Sequence, residues 1–202
     1  MRSSDKMPEI SLIPGNRLTD VEVGRLVAAN LPSSGLQPAV LAARKRGVLQ
    51  FEFAATGVNG PCGYISGCAI KVISDADSSV SEALSASTAL PSSSVPTDPT
   101  DPTDSSVKAA AIVPLVVDQA WRAQGVGSAL VRAALDAAYQ QAFGLIFVLG
   151  KPDFYGRFGF HPSGVGNGFG ARKHFLVLEL KPGALAAFRG SVVYPEPLPN
   201  AR

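Results

Sequence analysis

Cysteine is scarce in this chain, with Cys62 and Cys68 the two among 202 residues. The disulfide framework that staples a small secreted protein needs more. Both are therefore read as free thiols in a reducing compartment. Charge is thin as well: charged residues make up 17% and the formal net charge is +2. A nucleic-acid-binding module shows a basic patch or stripe. The nearest approach to one here is Arg44-Lys45-Arg46, read as a solvated helix end. No apolar run reaches the roughly 20 residues that span a bilayer. Residues 1–14 lack the hydrophobic core of a signal peptide. The expectation is a cytoplasmic protein without a nucleic-acid partner, a membrane partner or a metal; its oligomeric state is left open.

Apolar residues, by contrast, are plentiful at 46%, and the length suits one ordinary domain with some excess. The excess is visible. Residues 75–106 are dominated by Ser, Thr, Pro, Asp and Ala and contain two copies of Thr-Asp-Pro. Such a segment has little to bury, so ordering it costs entropy without a compensating core. The chain is read as a single domain, 1–202, with 75–106 a disordered insertion. A regulatory or docking segment with phosphorylatable Ser and Thr is the alternative.

Around that insertion the pattern alternates between strand and helix. A short strand is expected over residues 9–14, and helices over 18–29 (capped by Thr19 or Asp20) and 36–46. Leu49, Phe51 and Phe53 alternate with Gln50 and Glu52, as in a half-buried strand over 48–55. A Gly-, Asn- and Pro-rich turn leads to a second strand over 64–73, predicting an antiparallel hairpin. Residues 109–117 are nearly all apolar, like a strand covered on both faces. Pro114 lies inside that run; proline cannot donate to a ladder, which predicts an edge or a bulge there. Residues 125–143 make a helix whose apolar face holds Val126, Leu130, Val131, Ala134, Leu135 and Ala138. With the buried strand over 145–149 this predicts a parallel βαβ unit. A helical turn over 152–158, a strand over 174–181 and a short strand over 191–194 complete the chain.

The informative stretch is Leu115-Val116-Val117, a polar turn, then Arg122-Ala123-Gln124-Gly125-Val126-Gly127-Ser128. A buried strand ends and two spaced glycines open an amphipathic helix. The first turn of a helix has unpaired N–H groups and the positive end of the dipole, a combination that binds phosphate. Glycine lets the backbone approach an anion without a Cβ in the way, and Arg122 adds a cation. Tight helix-to-sheet packing explains the same glycines equally well. A dinucleotide fingerprint would need a third glycine, and a P-loop a Gly-Lys-Ser/Thr.

Arg122, Gly125 and Gly127 resemble the acetyl-CoA loop of the GNAT superfamily: Arg or Gln, two residues, Gly, one residue, Gly or Ala. Residues 114–118 are similar to that family's bulged fourth strand. Residues 149–160, with Tyr155 ahead of Phe158-Gly159-Phe160, resemble the segment after the fifth strand in the YhbS-like branch. The tail 190–195 is similar to that branch too. The part before Gly47 is short for the family, and 75–106 is a departure from it.

The resemblance implies an α+β fold, a GNAT-type central mixed sheet with a βαβ acetyl-CoA-binding core and flanking helices. It implies acetyl-CoA as co-substrate, held by Leu115, Val116 and Val117 along the pantetheine arm. The pyrophosphate would lie on Arg122, Ala123, Gln124, Gly125, Val126, Gly127 and Ser128. A main-chain N–H near Pro114 would polarise the thioester carbonyl. An amine, on a small molecule or a protein, would attack directly in a ternary complex, with Tyr155 protonating the departing thiolate. Tyr155 as a packing ring is the other reading. The general base stays open among Glu52, His161 and a water chain. The activity implied is N-acetyl transfer; a catalytically silent acyl-CoA-binding or interaction module is the alternative.

Overall fold

A computed structural model of the protein describes residues 9–73, 107–167, 172–188 and 191–199. The disordered insertion expected at 75–106 lies outside the described residues.

The apolar and alternating segments become strands β1 (Ser11–Pro14), β2 (Leu49–Gly57), β3 (Gly60–Ile73), β4 (Ala109–Val117), β5 (Leu145–Leu149), β6 (His161–Pro162), β7 (Phe175–Glu179) and β8 (Ser191–Val193). The helices are α1 (Asp20–Asn30), α2 (Leu36–Lys45), α3 (Val126–Gln140) and the single turn α4 (Pro152–Tyr155). The sheet runs β1-β2-β3-β4-β5-β7-β6, with β8 paired to the far end of β3. Neighbours are antiparallel except β4 and β5, which are parallel and joined by α3. The central βαβ unit is the one the pattern predicts, and the mixed α+β sheet is the one the resemblance implies.

Helix α3 covers one face, where Leu130, Val131 and Ala134 pack with Phe51, Ile65 and Ile146 of the sheet. Burying one such side chain is worth about 1.5–3 kcal/mol, so this stripe fixes the helix against β2, β3 and β5. The other face carries α1 and α2, through Val23, Val27 and Val40 on Ala54, Tyr64 and Val116. Further along that face Phe147 stacks on Phe175 at 5.3 Å and meets Phe188 at 5.1 Å. Among the described residues no helix is long and apolar enough to cross a membrane.

Several element ends differ from expectation for local reasons. The helix expected over 125–143 is shorter at both ends. Gly125 is left-handed (φ 83°) and stands outside it, and left-handed Ala142 (φ 61°) lies just beyond its last turn. Of the two proposed caps for α1, Thr19 serves. Its hydroxyl accepts the Glu22 N–H at 3.3 Å, and the Glu22 carboxylate accepts the Thr19 N–H at 2.8 Å.

The solvated basic run needs correction at Arg44. Lys45 and Arg46 are exposed, but the Arg44 side chain is 10% exposed. It lies 2.7 Å from Asp20 Oδ1 and 2.9 Å from Glu52 Oε1. It also donates to the Gly15 and Leu18 carbonyls at 3.1 and 2.9 Å. Position 44 adjoins buried Val40 and Ala43 on the inner face of α2, so its guanidinium reaches α1 and β2 rather than water.

Strands β4 and β5 part company in mid-sheet. Their shared pairs run from Ala109/Leu145 to Ile112/Val148. Beyond that point β4 continues to Val117 with β3 alone among the described strands beside it. Ile65 opposes Leu115 and Gly67 opposes Ile112, so Ser66 faces two residues, Val113 and Pro114. That is the bulge proline predicts. The Ser66 hydroxyl donates to the Val113 carbonyl and ties the bulge to β3.

Candidate active site

The loop between β4 and α3 is shaped by two left-handed residues. Ala123 has φ 60° and Gly125 φ 83°. A left-handed alanine costs about 1–2 kcal/mol, so the surroundings must impose it. Before it, the Asp118 carboxylate accepts the Ala120 N–H at 3.0 Å and caps the turn Gln119–Trp121. The Gln124 side chain donates back to the Ala120 carbonyl at 2.7 Å. Left-handed residues in such a turn aim successive amides into one concavity, the arrangement that holds anions. The Ala129 N–H bonds to the Gly125 carbonyl at 2.9 Å. The amides of Val126, Gly127 and Ser128 come earlier and have no acceptor within the helix.

Gly127 also satisfies the packing reading. A Cβ there would lie 3.3 Å from Phe154 and 3.5 Å from Val117. Close packing and an open helix terminus coincide at this position. Arg122 donates to the Val117 carbonyl at 3.2 Å and to Asn30 Oδ1 at 2.8 Å. Its guanidinium thus joins the end of β4 to the end of α1, with its charge on the loop.

Two cavities open where β4 and β5 separate. The first, about 430 Å³, is lined by the residues of the loop and of the free end of β4. The second, about 390 Å³, lies along Val113 and Pro114 of the bulge, Val148 and Leu149 of β5, and the C-terminal segment. Leu31, Leu115 and Tyr155 line both, so the cavities meet at those three side chains.

Of the residues singled out from sequence, Leu115, Val116, Val117, Arg122, Ala123, Gly127 and Tyr155 line the first cavity. Four others do not line it: Gln124, Gly125, Val126 and Ser128. Gln124 closes the loop from within, and Val126 is buried in the core beneath α3. Gly125 sets the turn. Val126 and Ser128 can offer their amides. Asn30, Leu31, Trp121, Lys151 and Phe154 line the first cavity and were missed. Lys151 and Phe154 adjoin Tyr155 in the chain. Asn30 carries no sequence signal, because the fold brings it to Arg122 across 92 residues.

Tyr155 is 6% exposed and held edge-on by Phe154 at 4.9 Å and Phe160 at 5.5 Å. The ring also fills the space that Gly150 leaves; a Cβ on Gly150 would overlap it. Burial alone pushes the phenol well above its ordinary range, so its proton is retained throughout neutral pH. Neither base candidate lines either cavity. Glu52 is taken up by Arg44, with burial raising its carboxyl pKa against the pull of that guanidinium. His161 is exposed on β6.

Residues 98–162 match the family described as acetyltransferase (GNAT) domain. No curated protein sequence matches the chain. The protein is similar to the GNAT family N-acetyltransferase YhbS from Escherichia coli, solved with CoA. That likeness has 21% identity and a TM-score of 0.72, over 96% of this chain and 94% of that one. A GNAT family acetyltransferase from Brucella melitensis, solved with acetyl-CoA, is 16% identical with a TM-score of 0.64, over 93% and 97%. Aminoglycoside 6'-acetyltransferase type Ii is 14% identical with a TM-score of 0.55, over 86% and 98%. The fold is therefore that of the GNAT acetyltransferases. The likeness in fold to YhbS extends over nearly the whole of both chains.

Proposed function

We propose that the protein is an N-acetyltransferase that moves the acetyl group of acetyl-CoA to a primary amine in a ternary complex. The observation that carries this is the meeting of two cavities at a buried, protonated phenol. One cavity ends at amides suited to a phosphate, and the other opens beside the free edge of β4.

The donor set fits the group. Loop amides and the Arg122 guanidinium would hold the pyrophosphate, with Lys151 a second cation on the same cavity. Leu115, Val116 and Val117 lie where β4 has lost β5, which opens one edge of the strand to an extended amide-bearing arm, with the Val117 carbonyl held by Arg122. Bound acetyl-CoA supplies an activated thioester. A main-chain amide of the bulged stretch polarises its carbonyl. The amine attacks that carbon, the N–C bond forms and the C–S bond breaks. Tyr155 gives its proton to the leaving sulfur and regains one from solvent. A phenol, ordinarily near pKa 10, is a weaker acid than a thiol near 8.5. Concerted donation as the C–S bond breaks is therefore the useful form of this step. The attacking nitrogen, cationic once the N–C bond has formed, loses its excess proton to water and leaves the neutral amide.

Tyr155→Phe keeps the ring and removes the proton. Turnover, followed as thiol release with a working amine, should fall roughly 10²-fold, the scale of a general acid. The acetyl-CoA dissociation constant, measured by calorimetry, should stay within about twofold. A full-rate variant would reduce Tyr155 to packing. Binding of acetyl-CoA with no thiol release for any amine would make the chain a silent acyl-CoA-binding module.

A further inference from the structure

The walls of the second cavity are chemically uniform. They come from four places: the α1–α2 link and the start of α2 (Leu31, Ser34, Leu36), the separated strands, Tyr155 of α4, and the C-terminal segment (Tyr194, Leu198, Pro199). Among the described residues that line it, none is Asp, Glu, His, Lys or Arg. Its titratable groups are the phenols of Tyr155 and Tyr194, and burial pushes both well above their ordinary range, so both are neutral at working pH. The first cavity, across Tyr155, carries the cations Arg122 and Lys151.

We propose that the second cavity is the acceptor site and that it takes a primary amine on a compact apolar body, an alkyl- or arylalkylamine with no second charge. This rests on the transferase reading above. The size suits such a ligand: about 390 Å³ lies within the roughly 300–1,000 Å³ of small-molecule sites. A polyamine, an amino sugar or a free amino acid would surrender hydration of its remaining charges to walls whose described residues offer hydroxyls but no opposite charge. An apolar body surrenders nothing and gains burial.

The same walls replace the missing base. A primary alkylamine has a pKa near 10.4 in water and is almost wholly protonated at neutrality. Desolvation disfavours the ammonium form, and so do nearby cations. Arg122 and Lys151 are the cations on the adjoining cavity, and among the described residues no carboxylate lines either one. A downward shift of about 2–3 units, within the range for buried amines, raises the fraction of free base by roughly 10²–10³. Attack then needs no side-chain carboxylate or imidazole, which explains why neither Glu52 nor His161 stands at the cavities.

The test uses the whole protein, acetyl-CoA, and a panel of 2-phenylethylamine, hexylamine, spermidine, lysine and a short peptide with a free N-terminus. The apolar amines should exceed spermidine and lysine in kcat/KM by about 100-fold or more, the upper scale of hydrophobic-pocket discrimination. Across pH, kcat with 2-phenylethylamine should level off at least one unit below the pKa of the free amine. Two variants add a carboxylate at exposed places on the wall, Ser34→Asp and Leu149→Asp; Leu149 is 45% exposed, so folding tolerates both. Each should narrow the gap between apolar and charged amines about tenfold, with acetyl-CoA affinity unchanged. A wild-type preference for spermidine, lysine or the peptide overturns the inference while leaving acetyl transfer standing. So does a kcat plateau at the pKa of the free amine, or two folded variants with unaltered preference. Failure to bind acetyl-CoA, or binding without thiol release, overturns the transferase reading and this inference together.

Discussion

Gly125 and Gly150 are both glycines for steric reasons, yet the reasons differ, and so do the consequences of filling them. Gly125 adopts φ 83°, a conformation that side chains other than glycine pay about 1–2 kcal/mol to reach. It turns the chain so that the first amides of α3 stay open. Gly125→Val should lower stability by about that amount, seen in urea unfolding. It should also weaken acetyl-CoA binding about tenfold or more by calorimetry; unchanged affinity in a folded variant would remove the loop from the cofactor site. Gly150 has no left-handed requirement. Its Cα lies against the Tyr155 ring, and a methyl group there would displace the phenol. Gly150→Ala should therefore spare the proposed phosphate end and misplace the proposed acid. A misplacement of about 1 Å costs up to roughly 10²-fold in rate, so turnover should fall at least about tenfold with affinity nearly constant. Equal losses in both would show that the two ends are not separable. Tyr155 and the two loop glycines stand out in the sequence because they sit in short local motifs. Gly150 was visible in the same motif, but its contact with the Tyr155 ring was not.

At the scale of elements, periodicity predicted the pieces well wherever one face is buried. The apolar stripe of α3, the bulge at Pro114 and the pairing of β2 with β3 all follow from local pattern. Contacts between polar groups far apart in the chain did not show. Arg44 looks like the solvated end of a basic run until Asp20 and Glu52 are folded against it. Arg122 looks like a free cation until Asn30 reaches it. Neither partnership leaves a trace in spacing or composition. The Arg44 network joins α1, α2 and β2; the end of α1 reaches the first cavity through Asn30 and Leu31, and the α1–α2 link with Leu36 reaches the second. Arg44→Ala would leave the Glu52 carboxylate, already raised by burial, without its main opposing charge. Removing one partner of a buried pair costs about 3–5 kcal/mol; Asp20 is half exposed and Glu52 retains some water, so about 3 kcal/mol is expected at pH 7. The sign with pH follows. Glu52 in the variant has a folded-state pKa raised further above its unfolded value. The stability tied to its protonated form is complete below the unfolded value, near 4.5, and drains away as pH rises through the folded one. The deficit against the parent protein, from urea midpoints, should therefore be smaller at pH 4 than at pH 7. A deficit independent of pH would assign the loss to the backbone carbonyl bonds of Arg44 instead.

For the whole molecule, the question is whether the sheet needs residues 75–106. Their composition sets them apart, and the register of the strands on either side supplies a second argument. Ile70 opposes Ala109, Ala69 opposes Ala110 and Cys68 opposes Ala111, so β3 and β4 meet as an ordinary antiparallel pair. Beyond Ile70, β3 keeps a partner of its own in β8, through Lys71/Val193 to Ile73/Ser191. The last described residue of β3 and the first residues before β4 thus approach from adjacent strands, as they would around a hairpin. Each strand is anchored by neighbours: β3 by β2 and β8, β4 by β5 and α3. The loop-closure cost of a long connection grows slowly with length, so shortening one favours the folded state by about 0.6 kcal/mol for each halving. We propose that the segment is dispensable for folding and for the cofactor site. Replacing 75–106 with a four-residue Gly-containing turn should give a protein whose thermal midpoint is equal or slightly higher. Its acetyl-CoA affinity should match that of the full chain within about twofold. A product that unfolds, or loses the cofactor, would show that the segment contributes to the core or to the site, and would end the reading of the chain as one domain carrying an insertion.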